Sequence, residues 1–575
     1  MTKRLVALLL SLIMLLGCLV GCGKKDDEIE DIANEGSEKT ITLSMYLMSE
    51  NKVSDEQALA IQNAVNKITK SKFKTQLILH YFSEENADDY YAALEDAYDE
   101  WLYADDEKDK NDEVLTGDAA TETAEETYVD EYGVVQLKYP TIPDYQVDLF
   151  YISGYDTLSN YILDEMVVEL SDEVDNSSKV LKSYVPSAYL KGVDAVCNGL
   201  YAIPTNAPIG EYTYMLLNKD ILAEYNHTAS DFPSIFCQEA QYLLDHVSKY
   251  NKDYVPFRSF TPENELDIPN MGYVGINENG QFDSSLFSLA GSTCAPGQRP
   301  AVQRIFNDAT FVSNLRVLSD YEGKGYYGTA ADAQKDFAMG YIKGGLEVVE
   351  QYQDKYEVVV LEAPTLNTMD LFENMFAVSA STADTARSME ILTYLYTNKD
   401  FNNLLVYGIE GENYELVDSD MLDKNGLPYQ YAKALNNKYV MSPEKLGNML
   451  ISYPTVNQPA NLFEMYNKQN IDSIASSTLG MVADYDYLPT LDEETEYLRT
   501  ESEKLLKKYF DEANSAELFD KYLAEVRNYI DLNTRLQKAM STAPVVGEDE
   551  ELFYTITGVY NYWSEATQQS SGSSD

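Results

Sequence analysis

The sequence predicts an α/β fold organised around more than one hydrophobic core, and three observations carry that expectation. The chain opens as strand, helix, strand, and the alternation continues beyond that opening. Its 575 residues, 45% hydrophobic and 24% charged, exceed what one core organises. Thr40–Met48 is a short β-like run, Glu56–Lys70 has helical spacing, and Lys74–Tyr81 alternates with the period of a strand. Further strands are expected at Val147–Ile152, at Gly199–Pro204 where a proline halts the run, at Tyr214–Leu217 and at Tyr356–Leu361. A helix is expected from Leu158, and Asp492–Met540 reads as mainly helical and charged.

The first residues read as an address. Lys3 and Arg4 precede an apolar run from Leu5 to Val20, which as a helix spans about 24 Å against a bilayer core of about 30 Å. Residues 1–21 therefore form an export signal rather than a permanent span. Leu19-Val20-Gly21-Cys22 resembles the lipobox of bacterial lipoproteins, which makes Cys22 the acylated N-terminus; Cys18 is the competing, earlier site. Residues 22–39, polar and acidic, suit a flexible tether. The small, polar residues of 566–575 read as a disordered tail.

Charge narrows the partners. Against 42 Lys and Arg stand 96 Asp and Glu, a formal charge of -54, so nucleic acid and anionic lipid surfaces are repelled. Acyl chains on Cys22 hold such a protein at a membrane that its own surface would avoid. Between Glu84 and Glu131, 20 acids face only Lys108 and Lys110, and residues 103–133 read as an acidic, solvated insertion. Asp105, Glu107, Asp109, Asn111 and Asp112 are dense oxygen donors, but they lack the glycine and register of a calcium loop, so no metal is expected. Cys197, Cys237 and Cys294 match no metal spacing; three thiols are favoured over one disulfide.

No P-loop, Rossmann glycine pattern, His-Glu-x-x-His or Gly-x-Ser-x-Gly occurs, and no cofactor is expected. The excess is in tyrosine, 47 residues against two tryptophans. Rings that stack on sugar faces beside carboxylates that bond hydroxyls suit a neutral polyhydroxylated ligand, although the ordinary role of any single tyrosine is half-buried packing.

Several segments, taken in order, resemble the family 1 extracellular solute-binding proteins, lipoproteins that feed carbohydrate uptake ABC transporters. Val147-Asp-Leu-Phe-Tyr-Ile-Ser-Gly-Tyr-Asp156 is similar to the family's third strand leading into a ligand loop. Gly199-Leu-Tyr-Ala-Ile-Pro204 and Glu211-Tyr-Thr-Tyr-Met-Leu-Leu-Asn-Lys-Asp220 resemble the crossing between lobes. Phe337-Ala-Met-Gly340 is similar to a Phe-x-x-Gly helix start, and Phe376-Ala-Val-Ser379, a helix around Ala386–Thr397 and Tyr407-Gly-Ile-Glu-Gly-Glu-Asn-Tyr414 complete the pattern.

The resemblance implies a two-lobed, type II periplasmic-binding-protein-like α/β fold, with ligand held in a cleft between lobes joined by a multi-strand hinge. Lobe one is expected over 40–207 with 356–407, and lobe two over 208–355 with 408–565. By analogy with a sugar-binding carboxylate of the family, Glu211 is the leading ligand residue, with Tyr212 beside it. Tyr155 and Asp156 after the third strand, Tyr46, Ser49 and Glu50 after the first, and Glu373 and Asn374 before the returning strand lie where the crevice of an open α/β sheet is expected. The implied protein is a monomeric, non-catalytic receptor on the extracytoplasmic face of a bacterial membrane, delivering an oligosaccharide to permease subunits. A surface lipoprotein enzyme using a carboxylate pair, or a binder of peptides or another non-sugar solute, are the alternative readings.

Overall fold

The computed structural model describes residues 40–110, 142–260, 307–476 and 516–532, the single residues 500 and 504, and short pieces at 127–129, 135–137, 287–290, 301–304, 479–480, 545–546 and 551–552. The expectations for residues 1–39, Asn111, Asp112, Cys294 and 566–575, most of the insertion 103–133, and the helical stretch 492–540 other than 500, 504 and 516–532 fall outside them. Two sheets, each with its own core, make two lobes. The first has five strands in the order Thr75–Ser83, Ile41–Ser49, Leu149–Ile152, Met375–Val378, Ala202–Pro204. The first three run parallel, and Met375–Val378 is inserted antiparallel between the third strand and the last. In the second lobe the order is Tyr356–Glu362, Tyr212–Asn218, Phe337–Gly344, Val255–Ser259.

The outer edge of the first sheet is closed by side chains. Helix Asp55–Phe73 starts on the N-cap Ser54 and ends at Lys74, whose φ of 50° turns the chain straight into the Thr75–Ser83 strand. Two of its buried amides then bond that strand's free edge. Asn66 Nδ2 donates to Leu77 O at 2.8 Å while Leu77 N donates back to Asn66 Oδ1 at 2.6 Å, and Leu79 N donates to Gln62 Oε1 at 2.7 Å. An edge that would otherwise offer itself to another chain is thereby occupied. Deeper in the lobe, the buried Asp148 accepts from Ser44 N, Gln146 Nε2, Thr382 Oγ1 and Ala383 N, tying the first and third strands to the turn after Met375–Val378. Burial raises the Asp148 pKa, against the pull of those four donors.

The second lobe's core gathers Met215, Leu217, Leu244, Phe257, Tyr321 and Met339. Asn218, first residue of the Asn-Lys-Asp motif, caps helix Lys219–Glu224 by accepting from Asp220 N and Ile221 N. Helix Ala516–Leu532 joins this lobe through Asp520, 2.7 Å from Arg316 on helix Ala309–Gly323, and through Phe519 beneath the Arg316 guanidinium.

The expected boundaries and elements change in five places. Tyr356–Glu362 pairs antiparallel with Tyr212–Asn218 and so is the edge strand of lobe two, not the start of the lobe-one return. Residues 408–447 pack on lobe one, not lobe two. Tyr439, Met441 and Leu446 enter its core, and Asn413 Nδ2 bonds Gln57 Oε1 at 2.6 Å. Phe337-Ala-Met-Gly340 opens a strand rather than a helix, because partners on both sides take up its backbone bonds, and Gly340 leaves room for the Phe337 ring. The acidic stretch after Glu84 is not all solvated. Helix Ala87–Lys110 runs through it and buries Tyr90, Leu94, Ala97 and Tyr98, an apolar stripe that the charge count conceals. Finally, the helix expected from Leu158 begins at Tyr155.

Replacing Asn66 with leucine removes the partners of both Leu77 backbone groups. The Asn66→Leu chain is expected to lose about 2 kcal/mol from the lobe-one transition in urea, followed by fluorescence and far-UV circular dichroism.

Candidate functional site

Three passages of backbone lie together where the lobes meet. The outgoing crossing, 205–211, follows strand Ala202–Pro204; the return runs through Thr365–Leu366; and Ile474–Ala475 pairs in parallel with that return. At Gly210, with φ of 50°, a β-carbon would lie 2.8 Å from Thr365 O, so only glycine lets these passages approach so closely.

Beside this crossing lies a cavity of about 280 Å³, lined by Tyr189, Thr205, Ala207, Pro208, Ile209, Gly210, Glu211, Asp370, Glu373 and Asn374. It sits at the carboxyl ends of the parallel strands, since Met375 pairs with both Ile152 and Pro204, their last residues. Three of the lining side chains, Glu211, Asp370 and Glu373, are carboxylates, and the Tyr189 and Thr205 hydroxyls and the Asn374 amide stand among them. Neither the Glu211 nor the Glu373 carboxylate is hydrogen-bonded by the described residues, and no Lys, Arg or His is in the lining. Asp370 accepts from Asn367 N at 2.6 Å, which fixes its orientation. Tyr151 OH donates to Asn374 Oδ1 at 2.7 Å, leaving the Asn374 amide nitrogen as a donor at the cavity. The nearby Lys445 is engaged with Glu84 at 2.7 Å.

Loss of solvent, then the neighbouring Asp370 and Glu444, raise the Glu373 pKa above the ordinary carboxylate value. Burial also raises that of Asp370, partly opposed by its bonds to Asn367.

Of the residues singled out in the sequence, Glu211, Glu373 and Asn374 come together here. The others do not line the cavity. Tyr212 is buried, and its hydroxyl donates to Asp472 Oδ2 at 2.7 Å. Tyr46 is buried in a stack, 4.4 Å from the ring of His80, whose pKa burial holds down. Ser49 is fully buried and closes its strand with one hydroxyl proton shared between Asn51 O and Phe82 O. Glu50 is exposed, with its backbone amide on Val440 O. Tyr155 and Asp156, expected in a loop, open a helix after Gly154, and the Tyr155 ring meets Phe372 edge-on at 5.3 Å. Tyr189, Thr205 and Asp370 escaped the sequence reading. Asp370 had a local signal, an acid three residues before Glu373 in the segment that precedes a fully apolar strand; Tyr189 had none, since it sits on the buried face of helix Ser187–Cys197. Among the described residues no group of three or more His, Cys, Asp or Glu could hold a metal ion, and Cys197 and Cys237 are free thiols.

Two lobes, each a sheet with helices, joined by several crossings with a cleft beside them, define the fold of the solute-binding proteins. The crystal structure of an N-glycan transport solute-binding protein from Streptococcus pneumoniae superposes with a TM-score of 0.54 at 17% identity, covering 92% of this chain and 99% of that one. At that identity the likeness establishes the fold. No family model matches the chain. In sequence it is 25% identical over 282 residues to a carbohydrate ABC transporter substrate-binding protein of Streptococcus pneumoniae serotype 4 (strain ATCC BAA-334 / TIGR4), over 45% of this chain and 53% of the relative. The chain therefore spans about half the length of the curated relative it matches. The two-lobed α/β fold class and the likeness to solute-binding proteins of carbohydrate uptake, both read from the sequence, hold.

A carboxyl whose pKa is raised on folding binds its proton more readily in the folded state, so stability falls as pH rises from the unfolded carboxylate range through the folded pKa. Glu373→Gln removes that loss. The variant is expected to melt above wild type at pH 7, with the gap closing as pH falls toward about 4, in thermal denaturation across that range.

Proposed function

We propose that this chain is a membrane-anchored receptor that captures a neutral oligosaccharide outside the cell and delivers it to the permease of an ABC transporter. The observation that carries the reading is the cavity at the lobe crossing. Two carboxylates without hydrogen-bond partners among the described residues, Glu211 and Glu373, and the amide of Asn374 are gathered there beside Tyr189. Carboxylates accept from sugar hydroxyls, often two at once. The same acids repel a uronate or a sialylated chain. Glu211 lies on the crossing itself, next to the first strand of lobe two, so a ligand touching it and Glu373 bridges both lobes. Contacts made only in the closed state shift the population toward closure, which converts binding into a shape that a permease can read.

The carbohydrate role named for the pneumococcal relative supports this reading, as does the fold shared with the N-glycan transport protein. The chain acts by binding rather than turnover, as a monomer, and Cys22 supplies the lipid anchor on the extracytoplasmic face. The described residues contain no helix long and apolar enough to cross a membrane.

A thermal-shift screen of the full chain in mild detergent against neutral and acidic oligosaccharides tests the proposal. A ligand of the folded state at a hundredfold excess over Kd is expected to stabilise by about 2.7 kcal/mol, with the sugar recovered intact. Glu211→Gln is expected to weaken that binding by about tenfold, since a hydrogen bond to a charged group contributes about 1.5–3 kcal/mol. Binding of acidic glycans alone, or cleavage of the sugar, defeats the reading. Separately, Cys22→Ser is expected to abolish metabolic labelling with a fatty acid and to release the protein from the membrane fraction.

A further inference from the structure

The floor of the cavity is held by one helix far away in sequence. Ala207, Pro208, Ile209 and Gly210 line it, yet their backbone makes few bonds to its own neighbourhood. Instead, side chains of helix Leu462–Asp472 bond them in turn. Asn470 Nδ2 donates to Ala207 O at 2.9 Å, Ile209 N donates to Asn470 Oδ1 at 2.9 Å, and Gln469 Nε2 donates to Ile209 O at 3.1 Å and Gly210 O at 2.6 Å. Just past the floor, Tyr212 OH reaches Asp472 Oδ2 at the end of the same helix.

Gln469 shows what this arrangement favours. Only 2% of its surface is exposed, both amide hydrogens go to the crossing, and its Oε1 is buried without a hydrogen-bond partner among the described residues. That oxygen lies 2.9 Å from where a β-carbon on Gly345 would stand, beside Glu347 Oε2, a second buried acceptor without a partner. A residue selected for packing alone would be apolar here, because a buried acceptor without a partner opposes folding. The amide is retained for its donors, which grip two consecutive carbonyls of the crossing.

We propose that Gln469 and Asn470 are positioning residues for the binding cavity. They hold the crossing backbone so that Glu211 meets the ligand in register with Glu373, and they set the angle at which the lobes meet. Neither is in the cavity lining. Their effect on affinity passes through the backbone of 207–210, and the inference rests on the oligosaccharide reading of that cavity.

The test uses the full chain in mild detergent as wild type, Gln469→Met, Asn470→Asp and, as a control on the same helix, Asn467→Ala. Each is titrated calorimetrically with maltotriose, mannotriose, chitotriose and kestose. Each is also melted without sugar, and interlobe distances are measured by spin labels on noncanonical residues at Lys182 and Lys252. Gln469→Met is expected to bind at least about tenfold more weakly than wild type while its sugar-free Tm stays within about 3 °C. Asn470→Asp, which keeps the acceptor for Ile209 N, is expected to fall between the two, and Asn467→Ala to match wild type. Unchanged affinity in Gln469→Met overturns the proposal, as does a loss that Asn467→Ala shares. If wild type binds none of the four sugars, the oligosaccharide reading fails for them, and the distances decide the positioning role. A broadened distribution confined to the Gln469 and Asn470 variants upholds it, and superimposable distributions overturn it.

Discussion

The structure turns on a problem of backbone accounting where the lobes meet. Three passages of chain share one small space there, and each brings amides and carbonyls that a regular sheet would have paired. Burying them unpaired would oppose folding strongly, so every solution is local and specific. The return and the last passage pair with each other over two residues, Thr365–Leu366 with Ile474–Ala475. The outgoing passage bridges in parallel at Asn206 with Asn448, and beyond it the side chains of Gln469 and Asn470 bond the backbone of Ala207, Ile209 and Gly210. Gly210 permits the contact with Thr365 that brings the outgoing and returning passages together. The cavity exists because the passages are held together rather than spread apart, and its floor is the crossing backbone.

Electrostatics shape what that cavity can accept. The chain is strongly acidic, with 96 Asp and Glu against 42 Lys and Arg. Glu211, Asp370 and Glu373 stand close together with no cation in the lining. Burial first, and then the neighbouring charges of Asp370 and Glu444, raise the Glu373 pKa, so holding that carboxylate ionised here opposes folding. A binding site commonly carries such strain, since groups arranged for a ligand are not those arranged for stability.

The tyrosine excess has a different origin from the cavity. Tyr90, Tyr214, Tyr321, Tyr326, Tyr396 and Tyr522 are among the largest fully buried side chains, and four buried tyrosines, Tyr90, Tyr321, Tyr396 and Tyr439, each donate to a backbone carbonyl. They serve as large apolar blocks whose one polar atom ties a strand or loop in place. Of the lining residues only Tyr189 is a tyrosine, so composition suggested a sugar-binding surface for a reason that is mostly structural.

What the sequence determined by itself is whatever depends on neighbours along the chain. The opening strand, helix and strand lie within a few residues of their expected bounds, because apolar spacing and helix capping are local. The placement of Glu211, Glu373 and Asn374 at the cavity was legible because each stands beside a strand end, where a crevice in an α/β sheet must open. Tertiary structure alone decided the rest. Phe337–Gly344 has apolar content compatible with either a helix or a strand, and hydrogen-bonding partners on both sides made it a strand. Tyr356–Glu362 went to lobe two because its partner there, Tyr212–Asn218, lies about 140 residues earlier in the chain. Tyr46 and Ser49 follow the same strand-end logic as Glu373, yet stacking on His80 and bonds to Phe82 O occupy them. Which strand-end residue stays free for a ligand depends on what the rest of the chain places against it, and contacts across hundreds of residues are not written in local spacing.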